Sequence, residues 1–230
     1  MAEVILIVGD SSTGKSTSVE GLNPSESFVI SCAQKTLPFK GSKRLYTKYS
    51  KKDNPNGNFY STSNPELIGK LLDHVNEDAK IKNCVIDDAG MLLSFGLFDR
   101  IEETGFKKFE AIAKEFSDIL LKVRDMREDL KVFVMLHEEL FSSEDGTYHK
   151  RIIHIPSKMI REKLNPERLS NYTFFTNCEV DQDNPDVLKY SFITGNDLYC
   201  SAKSPKGSFE HRLIDNNLQV IVDTIDTYNN

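Results

Sequence analysis

Residues 9–16 read Gly-Asp-Ser-Ser-Thr-Gly-Lys-Ser, and this octapeptide decides the fold class of the chain. It fits the pattern G-x-x-x-x-G-K-[ST], in which a glycine-rich loop surrounds phosphate groups. Residues 4–8, before the loop, are all apolar and predict a strand buried on both faces. Residues 15–22, which follow it, can begin a helix. Strand, loop and helix therefore occur in the order that a phosphate-binding loop requires.

The loop predicts that the chain binds a nucleoside triphosphate, namely ATP with Mg²⁺. Gly9 and Gly14 allow backbone angles that turn N–H groups inward, and the start of the next helix adds further donors. Lys15 would contact the β- and γ-phosphates, and the Ser16 hydroxyl would bind Mg²⁺. Thr17 is placed to contact the α-phosphate. The predicted nucleotide-binding residues are Gly9, Ser11, Ser12, Thr13, Gly14, Lys15, Ser16 and Thr17.

A second stretch, residues 84–88, has the form of a buried strand that ends in two carboxylates. Open α/β sheets bind ligands at the carboxyl ends of their strands. Asp87 would hold Mg²⁺ through a coordinated water, because this ion keeps most of its hydration shell. Asp88 could polarise the attacking water or lie further from the ion. Ser16 and Asp87 are therefore the predicted metal ligands.

The apolar run 131–136 predicts another buried strand, and polar residues follow it at the same edge. His137 is a candidate sensor that would contact the γ-phosphate. Glu138 and Glu139 are alternative bases for activating water. A solvated strand end without catalytic function is the other interpretation of these three residues.

Bulk properties favour one α/β domain over the whole chain, residues 1–230. The net charge of −6 argues against a surface that binds nucleic acid throughout, although a local basic groove remains compatible with it. No apolar run approaches the roughly 20 residues that cross a bilayer, and a strand at the amino terminus leaves no room for a signal peptide. Four widely spaced cysteines are expected to be reduced thiols. We therefore expect a cytoplasmic protein with no membrane partner.

Alternating strands and helices predict a mostly parallel central sheet in a nucleotide-binding core of about residues 1–140. Residues 141–230 are expected to form an antiparallel extension with a final helix. Apolar residues at three- and four-residue steps in a helix over 106–127 predict a stripe that faces the core: Phe109, Ile112, Phe116, Ile119, Leu120 and Val123. The other predicted elements are strands at 27–31 and 44–49, helices at 65–78 and 216–229, and hairpins over about 138–155 and 172–194.

The succession of the loop, the Ile-Asp-Asp strand end at 86–88 and the Leu-His-Glu-Glu strand end at 136–139 resembles a known family. It is similar to the RecA-core P-loop ATPases of bacteriophage recombination, AAA-type nucleotide-binding proteins associated with single-strand annealing. Residues 34–39, and residues 202–209 followed by 214–218, resemble further signatures of that family. The resemblance extends over nearly the full chain.

The resemblance implies a RecA-like fold and a DNA-stimulated ATPase that acts in phage recombination or replication. It implies a homo-oligomer with ATP between subunits, single-stranded DNA as a ligand, phage single-strand binding or recombination proteins as possible partners, and the host cytoplasm as the location. In such assemblies a neighbouring subunit inserts a cation toward the γ-phosphate. Lys203 and Lys206 are our candidates for that cation, with Arg151 as the alternative.

One position departs from the family pattern. RecA-type enzymes commonly carry a catalytic Glu just beyond the strand after the loop helix, whereas residues 31–35 here read Ser-Cys-Ala-Gln-Lys. Gln34 can orient a water but cannot accept its proton, so hydrolysis would be slow, or would depend on Asp88, on Glu138, or on DNA and a neighbouring subunit. The candidate catalytic residues are Lys15, Asp88, His137, Glu138 and Lys203.

Two other functions fit the same motifs. A small-molecule kinase would transfer the γ-phosphate to a nucleoside or nucleotide, with the basic residues of 140–170 as a lid. A nucleotide-gated scaffold would bind ATP without turnover. For the leading function, residues 44–52 interleave basic and aromatic side chains, as surfaces that bind single-stranded DNA do. Tyr46 and Tyr49 in this stretch are either stacking platforms or packing residues.

Overall fold

The apolar run before the glycine loop lies near the centre of an eight-stranded sheet in the computed structural model, which describes residues 1–229. The strands are β1 (Glu3–Val8), β2 (Ser27–Ser31), β3 (Phe59–Ser61), β4 (Asn83–Asp87), β5 (Lys131–Leu136), β6 (Glu138–Ser142), β7 (His149–Ile153), β8 (Tyr172–Val180), β9 (Leu188–Ile193) and β10 (Leu213–Asp215). The order in the sheet is β10-β9-β8-β1-β5-β4-β2-β3. In this order, each pair of adjacent strands between β8 and the β3 edge is parallel. The pairs β8–β9 and β9–β10 are antiparallel. The predicted mostly parallel α/β fold is confirmed.

Helices cover both faces of this sheet. They are α1 (Ser42–Leu45), α2 (Pro65–Glu77), α3 (Met91–Asp99), α4 (Lys107–Arg124), α5 (Pro166–Leu169) and α6 (Leu218–Asn229). Alternate residues of β1 enter different cores: Leu6 packs with α2 and α4, and Ile7 packs with α6. Strands β6 and β7 form a separate antiparallel hairpin beside the sheet. Within residues 1–229, every helix is too short or too polar to cross a membrane.

The segment after the glycine loop is tighter than the predicted α-helix. Ser16–Gly21 forms a 3-10 helix, and a second short 3-10 helix, Pro24–Glu26, follows it. Proline disfavours the helical conformation of the residue before it, which limits extension beyond Leu22. A Cβ at Gly21 would overlap the side chain of Asn217, so the end of this segment packs closely against the start of α6.

The predicted strand at 44–49 is wrong. The chain forms the short helix α1 and then an irregular segment with one isolated bridge to the sheet, between Lys48 and Phe59 of β3. The Asn58 side chain explains this path, because its amide accepts a hydrogen bond from Thr47 N at 2.9 Å and donates one to Leu45 O at 3.1 Å. The side chain thus satisfies backbone groups that a neighbouring strand would otherwise bind.

Helix α3 was not predicted from the sequence, because its residues are apolar on all sides and contain Gly96. Leu92 and Leu93 are buried, while Phe98 is exposed. Gly96 lies where α3 approaches α4, since a Cβ there would come within 3.1 Å of the Ile112 side chain. Packing against α4 therefore determines that this segment forms a helix, and no hydrophobic periodicity in its sequence predicts one.

The apolar stripe predicted on α4 is confirmed at five positions and wrong at one. Phe109 is 47% exposed, because it belongs to the first turn of the helix, where its ring lies beside the exposed Phe106, with 6.5 Å between ring centroids. The buried members are Ile112, Phe116, Ile119, Leu120 and Val123.

Replacing Phe116 by Ala should lower the free energy of unfolding by about 3–5 kcal/mol, because the change leaves a cavity in the core. Phe109→Ala is the matched control in the same helix and should lower it by less than about 1 kcal/mol. Urea unfolding of both variants measures the difference. Equal losses would contradict the assignment of the core face of α4.

Candidate functional site

The glycine loop curls around the amino group of Lys15. Positive φ angles at Ser12 (64°) and Gly14 (98°) turn the backbone, and Lys15 is only 5% exposed. Its Nζ donates hydrogen bonds to Gly9 O and Asp10 O, each at 2.8 Å. An ammonium group has three N–H donors, so the third can donate to a ligand oxygen. Burial lowers the pKa of Lys15, while nearby Asp88 and Asp87 act in the opposite direction.

The two predicted metal ligands are in direct contact. Ser16 Oγ donates a hydrogen bond of 2.8 Å to Asp87 Oδ1, although the two residues are 71 positions apart in the chain. Burial and the adjacent charge of Asp88 raise the pKa of Asp87 to about 6, and the hydrogen bond from Ser16 and the charge of Lys15 oppose that shift. Because burial destabilises the ionised form of this carboxylate, a cation beside it would stabilise that form strongly.

Asp88 is held in a strained conformation between His137 and Lys35 at the same edge. Its φ is 54°, a region that residues other than glycine rarely adopt. Asp88 Oδ1 is 3.4 Å from His137 Nε2, and Oδ2 is 3.5 Å from Lys35 Nζ. The hydrogen bond from His137 is the main cause that lowers the pKa of Asp88, and Lys35 adds to it. This carboxylate therefore stays ionised at neutral pH.

Glu138 is bound to Arg151, the alternative candidate for the trans cation. Arg151 donates to both carboxylate oxygens, with the shortest distance 2.6 Å from Nη2 to Oε2. Nη2 also donates to Thr176 O at 2.6 Å, and Thr176 Oγ1 is 2.6 Å from Thr13 Oγ1. A Cβ at Gly9 would overlap Thr176 Oγ1. The hairpin β6–β7 is thus joined to the glycine loop through β8.

The cleft that opens beside the glycine loop is not lined by the remaining candidates, Glu139, Lys203 and Lys206. Glu139 pairs with His154, with 2.7 Å between Oε2 and Nδ1. Lys203 Nζ donates to Glu167 O in its own chain, and burial lowers the pKa of Lys203. Lys206 is exposed. Of the lysines proposed to reach a neighbouring subunit, Lys206 is therefore the one whose side chain is exposed.

The two tyrosines of the 44–52 stretch are packing residues. Tyr46 is 5% exposed and donates from its hydroxyl to Val19 O at 3.3 Å. Tyr49 is 9% exposed and stacks on His74, with 4.5 Å between ring centroids. Neither ring is available to stack on a base, so the interpretation of these tyrosines as stacking platforms is wrong.

The site opens into a cleft of about 680 Å³. Its predicted members are Ser11, Ser12, Gly14, Ser16, Thr17, Asp87, Asp88 and His137. Sequence reasoning missed the others, Lys35, Thr36, Pro38, Tyr190, Asp215 and Asn216, as cleft residues. Of these contacts, only the one between Lys35 and Asp88 could have been predicted from the sequence. Lys35 closely follows β2, and β2 ends beside β4 in the sheet.

The donor set fits a magnesium ion that arrives with a nucleotide. One hydroxyl and one carboxylate, those of Ser16 and Asp87, meet at the mouth of the loop. Magnesium completes its octahedron with water and phosphate oxygens in such sites. No cluster of three or more His, Cys, Asp or Glu suited to a metal occurs among residues 1–229. The site is therefore unlike an all-protein metal cage.

A scan against models of protein families gives no match, and a search of curated proteins gives none either. The resemblance to phage RecA-core ATPases therefore remains an expectation drawn from motifs of the chain.

Asp87→Asn should stabilise the protein without ligand at pH 8 by up to about 3 kcal/mol, because the pKa of Asp87 rises from 3.8 to about 6 on folding. The folded state thus holds this proton more tightly, and the stability of the wild type falls as pH rises from about 4 to above 6. The gain from Asn should shrink by about half at pH 5.

Urea unfolding at pH 5 and pH 8 measures this effect. Asp183→Asn, in the exposed turn between β8 and β9, is the control and should show no comparable gain. A variant at Asp87 that is no more stable than the wild type at pH 8 would contradict the conclusion that burial and Asp88 destabilise the ionised form of this carboxylate.

Proposed function

We propose that this chain is a RecA-like ATPase that binds ATP with Mg²⁺ in the cleft beside the glycine loop. The observation that carries the proposal is the 2.8 Å contact of Ser16 Oγ with Asp87 Oδ1 beside the buried Lys15. A phosphate-binding loop by itself is shared by many proteins. Its contact with a carboxylate at the end of β4 supports a site for a metal-bound triphosphate.

Each residue has a distinct part in this proposal. Lys15 donates to the β- and γ-phosphate oxygens while the loop carbonyls of Gly9 and Asp10 hold its other donors. Thr17 contacts the α-phosphate. Ser16 and Asp87 would hold Mg²⁺, which when bound offsets the negative charge of the phosphates.

Asp88 and His137 are the better candidates for orienting the attacking water. Asp88 is ionised and lines the cleft together with His137. Glu138 is bound on both oxygens by Arg151 and would have to leave that partner before it could act as a base. A carboxylate of low pKa accepts a proton poorly, so the expected rate without an activator is slow.

The assembly is proposed from the resemblance to phage RecA-core ATPases. Subunits would place ATP between them, and a neighbour would supply a cation, for which the exposed Lys206 is now the leading candidate and Lys203 the second. Single-stranded DNA would be bound through basic side chains of residues 44–52, without the two buried tyrosines.

A nucleotide-gated scaffold is the second candidate function. It is favoured by one observation, namely that the three carboxylates predicted as bases are already paired. Asp88 pairs with Lys35 and His137, Glu138 with Arg151, and Glu139 with His154. In that function ATP binding would drive assembly, and phosphate would not be released.

Phosphate release from ATP and Mg²⁺ tests the proposal. We expect slow release that single-stranded DNA stimulates, and whose rate rises more than linearly with protein concentration, because the sites are completed between subunits. Lys15→Met should lower release at least tenfold, since it removes charge-assisted hydrogen bonds to the phosphates.

The exposed Lys43→Met variant is the matched control and should behave as the wild type. Release that is absent under all conditions, together with ATP-dependent assembly, would favour the scaffold. Transfer of phosphate to an added nucleoside would favour a kinase. Full activity of Lys15→Met would contradict the assignment of the loop.

A further inference from the structure

The cleft beside the glycine loop extends beyond the residues assigned to phosphate and metal. It is also lined by Tyr190 of β9 and by Asp215 and Asn216, at the end of β10 and just before α6. The proposed function gives none of these three residues a role. They therefore raise the question of which part of a ligand this region holds.

The hairpin β8–β9 projects past the edge of the sheet on which the loop lies. Strand β8 pairs with β1 only as far as Phe175, opposite Val8. Residues 176–180 continue beyond that point and remain paired with residues 188–192 of β9. The hairpin thus forms a wall that rises beside the glycine loop.

One face of this wall is turned toward the loop. Thr176 Oγ1 lies 2.6 Å from Thr13 Oγ1, so the face that carries Thr176 adjoins the loop. Side chains on a strand alternate between faces, so Cys178 and Val180 continue the same face. Their cross-strand partners are Tyr190 and Leu188, which are 40% and 49% exposed. An exposed aromatic ring on an apolar surface therefore stands next to the phosphate-binding residues.

Polar groups complete this region on the side of α6. The side-chain amide of Asn216 lies against Gly14, because a Cβ on Gly14 would come within 2.8 Å of Asn216 Oδ1. Asn216 Nδ2 is buried and has no hydrogen-bond partner in the described part of the chain. Asn216 lines the cleft, so its unpaired donor is available to a ligand there, and the exposed Asp215 beside it offers an acceptor.

We propose that Tyr190, Asp215 and Asn216 form a subsite for the nucleoside of the bound triphosphate, with a preference for purines. Tyr190 stacks on the base, and the carboxylate of Asp215 and the amide of Asn216 exchange hydrogen bonds with its polar groups. This inference rests on the proposed function, since the triphosphate must occupy the glycine loop for its base to reach the hairpin.

The preference for purines follows from the shape of the surface. A flat ring of Tyr190 beside Leu188 and Val180 gains more contact from a two-ring base than from a one-ring base. An amide and a carboxylate together supply a donor and acceptors for the mixed polar edge of the base, and the larger stacking area gives the preference for two rings. The subsite therefore recognises the base, while the loop recognises the phosphates.

Binding of ATP and of inorganic tripolyphosphate, each with Mg²⁺, separates the two parts of the site. In the wild type we expect ATP to bind at least fivefold more tightly than tripolyphosphate and more tightly than CTP. Tyr190→Ala should weaken ATP binding by about 5- to 150-fold, the range for loss of one stacked base. The same variant should leave tripolyphosphate binding within about twofold of the wild type, and Tyr190→Phe should retain ATP binding.

Tyr199→Ala is the matched control, because Tyr199 is 67% exposed and lies outside the cleft. ATP binding no tighter than tripolyphosphate binding in the wild type would overturn the subsite while leaving the phosphate site intact. Equal weakening of both ligands by Tyr190→Ala would show a structural role only, and would also overturn it. Failure of the wild type to bind either ligand would overturn the proposed function together with the subsite.

Discussion

The hydrogen bond from Ser16 to Asp87 is the contact on which the candidate site depends. It joins the end of the glycine loop to the end of β4, two segments that are 71 residues apart in the chain. Strand β5 lies between β1 and β4 in the sheet, so the contact requires that all three parallel strands end at one edge. The same alignment places His137, which follows β5, within 3.4 Å of Asp88. The site is therefore a consequence of parallel register.

This arrangement holds negative charge in a poorly solvated place. Burial raises the pKa of Asp87, and Asp88 beside it adopts a backbone conformation that is rare for a residue with a side chain. Strain of this kind persists only where the surrounding structure enforces it, and it is commonly found at functional sites. The buried Lys15 partly balances the two carboxylates. A bound cation would relieve the remaining repulsion, which links the stability of the fold to its proposed ligand.

Local patterns predicted what depends on local physics. The apolar strands and the start of α2 at Pro65 follow from residue type and spacing, and the meeting of Ser16 with Asp87 follows from the rule that ligands lie at the carboxyl edge of a parallel sheet. The predictions that were wrong concern positions whose structure is determined by tertiary contacts. Asn58 replaced a strand partner for residues 45–47, and Phe109 lay beyond the covered part of α4. Tyr190 has no motif that marks it as a cleft residue, because only the pairing of β8 with β1 and β9 places it there.

The glycine loop and the carboxylate of β4 are proposed to bind a metal-bound triphosphate together. Calorimetric titration of the wild-type protein with ATP, in the presence of Mg²⁺ and again with the metal chelated, tests it most directly. We expect binding in both cases, with an affinity at least tenfold higher when Mg²⁺ is present, because Ser16 and Asp87 can then share the ion with the phosphates. The absence of binding, or an affinity that Mg²⁺ does not change, would contradict it.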